Sequence, residues 1–594
     1  MSTANPLFND QDVNFLLYDV LRAEKLCELP AFQDHSREIF DMYLDMARKF
    51  AREDLYPAFK PMDTDAPKLV DGEVKVHPAM HELYPKMAEL GILTASRPPE
   101  VGGAELPLTI SNIANGYLMA ANASAFGYPG LTLGAARLIE AFGSDELKAK
   151  YMAPMYDGRF TGTMALTEPQ AGSSLSDVAT KAVATEDGHY LLSGTKIFLS
   201  GGDQDFSENI VHLTLARIEG APIGIKGISL FAVPKKRMSE DGTLVRNDVT
   251  TSGVFHKVGW KGLPSIALSL GENNDCHGYL VGEAHQGIRY MFQMMNEARL
   301  LVGMNGVATA YVAYLESLNY ARERPQGRPM QSKDPSQGQI PIIEHADVRR
   351  MLLKQKAIVE GGLCLLGISA QYADLEVHST SEEERKHANL MLDLLIPIAK
   401  SFPAERGFES NALAVQIHGG YGYTNEYPVE AWLREQKLNS IHEGTTGIHS
   451  LDLLGRKVMM KGGAAMRAFH QEVTRDLETA LANGVSKDWC DSLLQALTVT
   501  EQLTLHLGQK GQQGDVNAML LHSAHYLELF STLTMSWIWI KQASAASQKD
   551  GDFYRGKMQA AQYWIKSELP RVTQLAQLCE SGEDSYANMQ DSWF

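Results

Sequence analysis

The sequence predicts a multidomain α+β protein in which a β domain lies between helical domains. Over most of residues 1–160, apolar residues recur at three- to four-residue spacing, the pattern of amphipathic helices. From about 161 to 285 the pattern changes to short strands at roughly ten-residue spacing, which indicates a small β-barrel or sandwich. Long apolar helical stretches return after residue 286.

The length and these patterns together predict a division into consecutive domains. A chain of 594 residues is too long for a single core, so three or four domains are expected. We expect an N-terminal helical domain over 1–160, in which residues 7–35 form an added arm, and a β domain over 161–285. A helical bundle over 286–463 and an additional helical domain over 464–594 follow.

Composition and charge exclude several classes of function. The net charge is −18, from 54 basic and 72 acidic residues, which argues against a nucleic-acid enzyme. From residue 464 onward, 10 Lys and Arg stand against 15 Asp and Glu, so a DNA-binding tail is not expected either. The five cysteines are scattered without a CxxC pair, which favours a reducing compartment without a disulfide framework or a zinc site.

Targeting signals are not apparent, and a cytoplasmic location is expected. The N-terminus has neither a basic region nor an apolar core typical of a signal peptide. The most apolar segment, Leu529 to Ile540, is shorter than the ~20 residues of a spanning helix. It predicts a buried helix, and interfacial membrane contact is the less favoured alternative.

The candidate catalytic residue is Glu443, in the segment Ile441 to Gly447 (IHEGTTG). Gly444 follows it and, having no Cβ, lets the backbone approach a ligand closely. An apolar periodic run then indicates the start of a helix, so the carboxylate lies on a turn just before that helix. That position suits a general base. A solvated glutamate, or an acidic first turn that favours the helix dipole, is the alternative for this segment alone.

Two upstream segments change this assessment. Gln416 to Tyr423 reads QIHGGYGY and Thr167 to Ser174 reads TEPQAGSS. With Glu443 and its neighbours, they resemble the IHGGxGY, TEPxAGSD and YEGT motifs of the acyl-CoA dehydrogenase family, in the same order. Pro98 to Gly103 also resembles the family's PExxGG segment. The resemblance covers about residues 40–460, and the further helices after 463 are similar to those of long members of the family.

The resemblance implies the family's helical–β–helical fold, FAD as the cofactor and an acyl-CoA thioester as the substrate. Glu443 is then expected to remove the α-proton while the β-hydrogen leaves as hydride to flavin N5, giving a trans-2-enoyl-CoA. The Glu443 backbone N–H and a flavin ribityl hydroxyl would bind the thioester carbonyl. The resemblance also implies a role in fatty acid β-oxidation, an electron transfer flavoprotein as the electron acceptor, and a homodimer or tetramer.

Further site residues follow from the resemblance, position by position. Substrate contacts are implied for Ser173, Arg299 and Gly444. Cofactor contacts are implied for a larger set that includes a KxWIT-like segment, in which Phe198 replaces Trp and Ser200 replaces Thr: Met164, Leu166, Thr167, Ser173, Phe198, Ser200, Arg324, His345, Gln416, Gly419, Gly420 and Thr445. No metal site is expected.

Several positions leave alternatives open. Phe198 is also compatible with a strand residue in a β core, His345 with a surface or helix-capping histidine, and Arg299 with an internal ion pair. The Arg324 to Pro329 segment lacks the family's Phe and precedes a polar inserted loop, Gln331 to Gln339.

Some family members carry the base directly before the arginine that corresponds to Arg299. Here that position is Ala298, and Glu297 is displaced by about 100° around the helix, which favours Glu443.

Three alternative functions also remain open. An acyl-CoA oxidase shares the chemistry but gives its electrons to O2. A non-catalytic flavin- or acyl-CoA-binding scaffold is the second alternative, and the intact Glu443 argues against it. The third is a helical partner-binding protein without a cofactor.

Overall fold

The structure is a computed structural model that describes residues 5–239, 241–331, 334 and 336–594, without the side chains of 293 and 294. The chain forms two compact units. Unit 1 contains the residues up to Ile39, Pro107–Gly116 and Arg299–Phe594, and unit 2 contains Phe40–Leu106 and Tyr117–Ala298. The sequential division into four domains remains a prediction.

The N-terminal part of the chain is helical, as predicted, apart from one short hairpin. In α2 the buried residues Phe40, Leu44, Ala47 and Phe50 lie at three- to four-residue spacing, which explains the helix and its buried face. The elements are α1 (Asp10–Asn14), α2 (Arg37–Phe50), α3 (Tyr56–Thr64), β1 (Lys68–Val70), β2 (Glu73–Lys75), α4 (Met80–Glu89), α5 (Leu108–Phe142), α6 (Asp145–Leu147) and α7 (Ala153–Tyr156).

The middle of the chain is a small β-barrel with additional strands. Its strands are β3 (Phe160–Ala165), β4 (Lys181–Ala184), β5 (Tyr190–Ser200), β6 (Asn209–Ile218), β7 (Ile228–Pro234), β8 (Lys236–Met238), β9 (Leu244–Arg246), β10 (Val249–Val254), β11 (Ser265–Leu270) and β12 (His277–Leu280). Within the main sheet the order is β10-β11-β5-β12-β7-β6-β3, and β4 pairs with both β5 and β6. Because of that double pairing, the path β5-β12-β7-β6-β4 returns to its start and closes a barrel. The predicted fold class is therefore confirmed for this part.

Long helices return after the barrel and form most of unit 1. They are α8 (Gly287–Glu323), α9 (Ala346–His378), α10 (Glu382–His418), α11 (Val429–Gln436) and α12 (Thr446–Asp452). The predicted N-terminal arm packs on this unit: Phe15 and Leu17 are buried, and Asp12 forms an ion pair with Lys557. The Tyr311 hydroxyl of α8 also donates to Asp12 at 2.8 Å.

The C-terminal extension is helical, as predicted. Its helices are α13 (Met460–Ala482), α14 (Lys487–Gln512), α15 (Val516–Leu520), α16 (Ser523–Ala546), α17 (Asp552–Tyr563), α18 (Arg571–Ser581) and α19 (Ser585–Asn588). The apolar segment from Leu529 to Ile540 lies in α16, where Trp537 and Trp539 are buried, so the prediction of a buried helix is confirmed. In the described residues, none of the helices has the length and apolarity needed to cross a membrane.

The segment Tyr190 to Ser200 (YLLSGTKIFLS) predicts a hairpin with a turn at Gly194. That prediction is wrong, because Tyr190–Ser200 is a single strand. A Cβ at Gly194 would lie 2.6 Å from Thr180 Oγ1, so the glycine permits a close contact and does not form a turn.

Two further predictions concern element ends. The pattern from Val254 to Val258 predicts a strand, but β10 ends at Val254. The glycines from Gly508 to Gly514 predict a break between helices, and the break lies at the end of that range, because α14 continues to Gln512 and Gly514 has a φ of +90°.

Candidate functional site

Glu443 lies on a strained turn directly before α12, where the sequence predicted it. Its φ is +53° and that of Gly444 is +93°, so two consecutive residues adopt the left-handed conformation. A non-glycine residue loses about 1–2 kcal/mol in that conformation. Thr445 caps the helix, since its side chain accepts a hydrogen bond from the Ile448 N–H. Strain of this kind is typical of residues whose exact orientation matters for function.

Two buried side chains hold the turn through its carbonyl oxygens. Lys400 Nζ, on α10, donates to the Gly444 oxygen at 2.6 Å. His449 Nε2, on α12, lies 3.1 Å from the Glu443 oxygen. Because a carbonyl only accepts, this Nε2 carries the hydrogen. Burial lowers the pKa of His449 to about 3, with Lys400 and Arg299 adding to the effect, so the imidazole is neutral near pH 7.

A close contact within the protein explains why position 444 is a glycine. A Cβ at this position would lie 2.9 Å from His449 Nε2, closer than side chains approach each other in proteins. The sequence suggested that Gly444 allows a ligand to approach. The structure shows that it allows the histidine to approach, and a role in substrate binding remains a prediction.

Glu443 is a half-buried carboxyl group whose pKa is influenced by two cations. Burial raises its pKa, and the positive charges of Arg299 and Lys400 oppose the rise. Burial in turn lowers the pKa of Lys400 to about 8. Arg299, on α8, is 5% exposed and lies 3.9 Å from Asp452. The alternative of an internal ion pair for Arg299 is therefore supported, and its predicted contact with the CoA portion of a substrate remains a prediction.

Sequence reasoning missed Lys400, His449 and Asp452 as members of this site. The available signal for Lys400 was a lysine inside the apolar run from Leu394 to Phe402 (LLIPIAKSF), where an ammonium group needs a polar partner. For His449 the sequence signal was weaker, since it only follows Glu443 by less than two helical turns. The structure shows that its side chain is fully buried.

The alternative base, Glu297, has a different environment. It forms an ion pair with Arg137 within unit 2, and its side chain is 45% exposed. Ala298 occupies the position directly before Arg299. A solvated, ion-paired carboxylate lacks the burial that raises the pKa of Glu443, and the choice of Glu443 as the base remains a prediction.

The Thr167 to Ser173 segment of unit 2 is anchored by a buried ion pair. Lys196 Nζ lies 2.7 Å from Glu168 Oε1, and both side chains are buried. The positive charge of Lys196 and several hydrogen bonds outweigh burial and lower the pKa of Glu168 to about 2. Burial lowers the pKa of Lys196 to about 8. The two pKa shifts act in opposite directions on the stability of the pair, so its net contribution is smaller than the Glu168 shift suggests.

The Pro and Gly of this segment predict backbone N–H groups that are free for a ligand. Two of them are not free, since the N–H groups of Glu168 and Ala171 donate to each other's carbonyls at 2.9 and 3.0 Å. The nearby candidates Met164, Leu166 and Thr167 are half-buried, and Ser173 is exposed. Ser174, where the family often has Asp, donates to Asp177 at 2.6 Å.

Phe198 and Ser200 lie at the end of β5. The Phe198 side chain is 60% exposed and its φ is +55°, which contradicts the alternative that it is a β-core residue. Its ring centroid is 4.7 Å from that of the half-buried Phe255, and Ser200, also half-buried, follows two residues later on the strand.

Unit 1 brings the Arg324 segment beside the glycine-rich segment. The Arg324 guanidinium lies 5.9 Å from the ring centroid of Tyr421. Gly419 has a φ of +60°, and neither it nor Gly420 has an atom within 4 Å of the position of a Cβ, so this backbone is open. Gln416, in the last turn of α10, is exposed.

His345 precedes α9 and is half-buried, with Nε2 2.7 Å from the Gln326 oxygen. Its side chain makes no capping hydrogen bond to the helix, and its flavin contact remains a prediction. The ends of the predicted inserted loop are joined, since Gln326 N donates to the Ile340 oxygen at 2.9 Å and Ile340 N to the Gly327 oxygen at 3.1 Å. Positions 332, 333 and 335 of that Gln331–Gln339 loop lie outside the described residues.

Family models match almost the whole chain. The N-terminal, middle and C-terminal domains of acyl-CoA dehydrogenase match residues 38–159, 163–271 and 285–459. The model "Acetyl-CoA dehydrogenase C-terminal like" matches residues 464–590. The extension after residue 463 is therefore a recognised domain.

Curated relatives and solved structures agree with these matches. The chain is 37% identical to 3-methylmercaptopropionyl-CoA dehydrogenase of Ruegeria pomeroyi, over 94% of this chain and 95% of the relative. It is 31% identical to a butyryl-CoA dehydrogenase of Syntrophomonas wolfei over the full length of both chains. Its fold is similar to that of ACDH-11 of Caenorhabditis elegans, solved with C11-CoA, with a TM-score of 0.79, 19% identity, and 97% and 96% of the two chains covered. The chain therefore belongs to the acyl-CoA dehydrogenase family of oxidoreductases, and it has the additional C-terminal helical domain.

Proposed function

We propose that this protein is an FAD-dependent acyl-CoA dehydrogenase in which Glu443 is the general base that removes the α-proton of the thioester. The observation that carries the proposal is the environment of Glu443: a half-buried carboxyl group on a left-handed turn, on which the positive charges of Arg299 and Lys400 act. Membership of the family supplies the reaction class, the α,β-dehydrogenation of an acyl-CoA.

The environment of Glu443 suits proton abstraction from a weak carbon acid. A general base works best when its pKa lies near the operating pH, and burial moves the Glu443 pKa in that direction. Arg299 and Lys400 limit the rise and keep the carboxylate available. The strained turn fixes where the carboxylate is directed, since its carbonyls are held by Lys400 and His449.

The same turn offers a hydrogen-bond donor for the thioester oxygen. Within the described part of the chain, the Glu443 backbone N–H has no acceptor. A free N–H in a partly buried position stabilises negative charge that develops on a bound carbonyl oxygen, as in an oxyanion hole. The α-proton becomes more acidic when this oxygen is stabilised, so one residue supplies both the base and a donor.

The residues expected to hold FAD have suitable chemistry. Unit 2 offers the exposed Phe198 ring for stacking on a flavin ring, with the Thr167 and Ser200 hydroxyls. Unit 1 offers the Arg324 guanidinium beside the open backbone of Gly419 and Gly420, a combination that suits a diphosphate. When bound, FAD supplies the acceptor for the β-hydrogen as hydride. A similar structure, an acyl-CoA dehydrogenase of Bacillus anthracis, was solved with FAD.

The names of the relatives support a proposal for the electron acceptor and suggest which substrates to test. Those that match over the full length are named dehydrogenases, and one similar structure, with a TM-score of 0.59, is titled an electron transferring flavoprotein of Acidaminococcus fermentans. We therefore propose an electron transfer flavoprotein as the acceptor, in preference to O2. The relatives' names span thioether, butyryl and broad linear acyl chains, so the acyl group is left to a substrate panel.

The test is anaerobic bleaching of the flavin absorbance, near about 450 nm, with short, long, branched and thioether acyl-CoAs. We expect bleaching with a subset of these substrates. We expect Glu443→Gln to retain FAD and to lower the rate constant of bleaching by at least ~100-fold. The matched control is Glu297→Gln, which removes the alternative carboxylate and should react at the rate of the wild type.

Normal bleaching of Glu443→Gln, or a large loss in Glu297→Gln, would refute the assignment of the base. Rapid formation of hydrogen peroxide in air would identify an oxidase instead. An FAD-containing protein that no acyl-CoA bleaches would indicate a binding role.

A further inference from the structure

We propose that Lys400 is a positioning residue for Glu443: its buried ammonium group holds the Gly444 carbonyl and places a fixed positive charge beside the Glu443 carboxylate. The inference rests on the proposed function, in which Glu443 is the base. It adds a residue on a different helix, α10, to the machinery of the turn.

The contact made by Lys400 is unusual for a buried lysine. Its side chain is fully buried, and its hydrogen bond goes to a neutral carbonyl, that of Gly444, at 2.6 Å. Within the described residues, no carboxylate oxygen lies within 4.0 Å of its Nζ. A buried ammonium group is costly unless an anion compensates it. A lysine with a purely structural role is normally paired, as Lys457 is with Asp393.

The neighbouring charges show why Lys400 acts on Glu443. The charged and titratable groups that face the pair come from three helices and the segment after α12: Arg299 on α8, Lys400 and Glu405 on α10, His449 and Asp452 on α12, and Arg456. Asp452 is engaged by Arg299 and by Arg456, and Glu405 accepts from the Thr446 hydroxyl. His449 is neutral. Lys400 therefore has no carboxylate in direct contact within the described residues, and the anion that acts on it most strongly is Glu443, ahead of Glu405.

The geometry gives Lys400 two effects on the base. Its hydrogen bond holds Gly444 in the left-handed conformation. Because the two residues are adjacent, this also fixes the left-handed backbone conformation of Glu443. Its charge lowers the pKa of the Glu443 carboxyl against the effect of burial. Removing the charge of Lys400 therefore raises the pKa of Glu443. The carboxyl group then stays protonated up to a higher pH, and a protonated carboxyl cannot act as a base.

The experiment compares Lys400→Met with the wild type as FAD-loaded full-length proteins, by two measurements. The first is the rate constant of anaerobic flavin bleaching as a function of pH. The second is an infrared titration of the Glu443 carboxyl in substrate-free protein, identified by its disappearance in Glu443→Gln. We expect Lys400→Met to be slower by roughly 10- to 100-fold, as for a displaced catalytic group. We also expect the acid limb of its pH–rate profile, and the infrared titration of its Glu443 carboxyl, to move to higher pH.

Two further variants separate positioning from general destabilisation. Lys400→Arg keeps the charge with a different shape, so it should return the acid limb toward that of the wild type while the maximal rate remains reduced. Lys457→Met removes another buried lysine that joins α10 to the segment after α12, and it should leave both titrations unchanged.

The proposal is overturned if folded Lys400→Met has the acid limb and infrared titration of the wild type, or if Lys457→Met shifts them equally. If Lys400→Met does not fold, Lys400→Gln takes its place with the same expected shifts. The infrared titration does not depend on turnover. A normal rate in Glu443→Gln would therefore refute the proposed base, while the infrared comparison would still decide whether Lys400 acts on Glu443.

Discussion

Replacing Gly444 by alanine tests whether the turn conformation controls the reactivity of Glu443. The substitution adds one methyl group and changes no charge. The added Cβ would lie 2.9 Å from His449 Nε2, and the residue would have to keep a φ of +93°. Either the alanine stays strained and displaces the histidine, or the turn relaxes toward negative φ and redirects Glu443.

The size of the expected rate loss follows from two costs, one for the backbone conformation and one for a lost hydrogen bond. Holding alanine in a left-handed conformation costs about 1–2 kcal/mol. Losing the hydrogen bond between His449 and the Glu443 carbonyl adds about 1 kcal/mol. Together these destabilise the competent turn by about 2–3 kcal/mol, which corresponds to a population lower by roughly 30- to 150-fold. We expect the rate constant of substrate-driven bleaching to fall by that factor.

The assay is single-turnover flavin bleaching under anaerobic conditions, with Gly447→Ala as the matched control. Gly447 lies three positions later, and a Cβ there would meet its nearest atom, Thr445 Oγ1, only at 3.8 Å. The control should therefore react within about threefold of the wild type. The reasoning is refuted if Gly444→Ala also reacts within about threefold of the wild type and its thermal midpoint is unchanged.

Three further predictions concern unit 2. Lys196→Met leaves the Glu168 carboxylate buried without its cation, so we expect a destabilisation of about 3–5 kcal/mol, with partial recovery when Glu168→Gln is added, measured by denaturant unfolding. The pKa of Glu168 is about 2, below its usual 4.5, so its contribution to stability is complete above pH 4.5 and is lost as the pH falls through 2. Glu168→Gln should accordingly flatten the acid dependence of the thermal midpoint, and an unchanged dependence would contradict this. Phe198→Ala should weaken FAD binding by roughly 2- to 10-fold, because the lost ring contact contributes about 0.5–1.5 kcal/mol. The side chain is exposed, so the thermal midpoint of the apoprotein should not fall. Fluorescence titration and melting curves measure the two effects.

Much of the architecture could be predicted from local pattern. Apolar spacing located the helices, and short β-branched runs located the barrel strands, because these periodicities decide which face of an element is buried. The position of Glu443 could also be predicted, since Thr445 is a good helix cap and an apolar run follows it.

Glycines were the least informative residues in the sequence. Gly194 predicts a turn, and Gly511 belongs to a range, Gly508 to Gly514, that predicts a break, but both lie inside a regular element against a close neighbour, Thr180 and Met519 respectively. The break itself lies at Gly514. A glycine can mark a turn or a close contact, and its neighbours in space, which the sequence does not show, decide between the two.

The sequence by itself determined the order of the domains, the family, and the identity of the candidate base, because motifs and periodicity are local properties of the chain. The tertiary structure alone decided the environment of that base. The charges of Lys400 and Arg299 act on Glu443 from helices that are distant in sequence. Asp452 forms ion pairs with Arg299 and Arg456. The pKa of a carboxyl group depends on burial and on distances to other charges, and both are set only when those helices pack together.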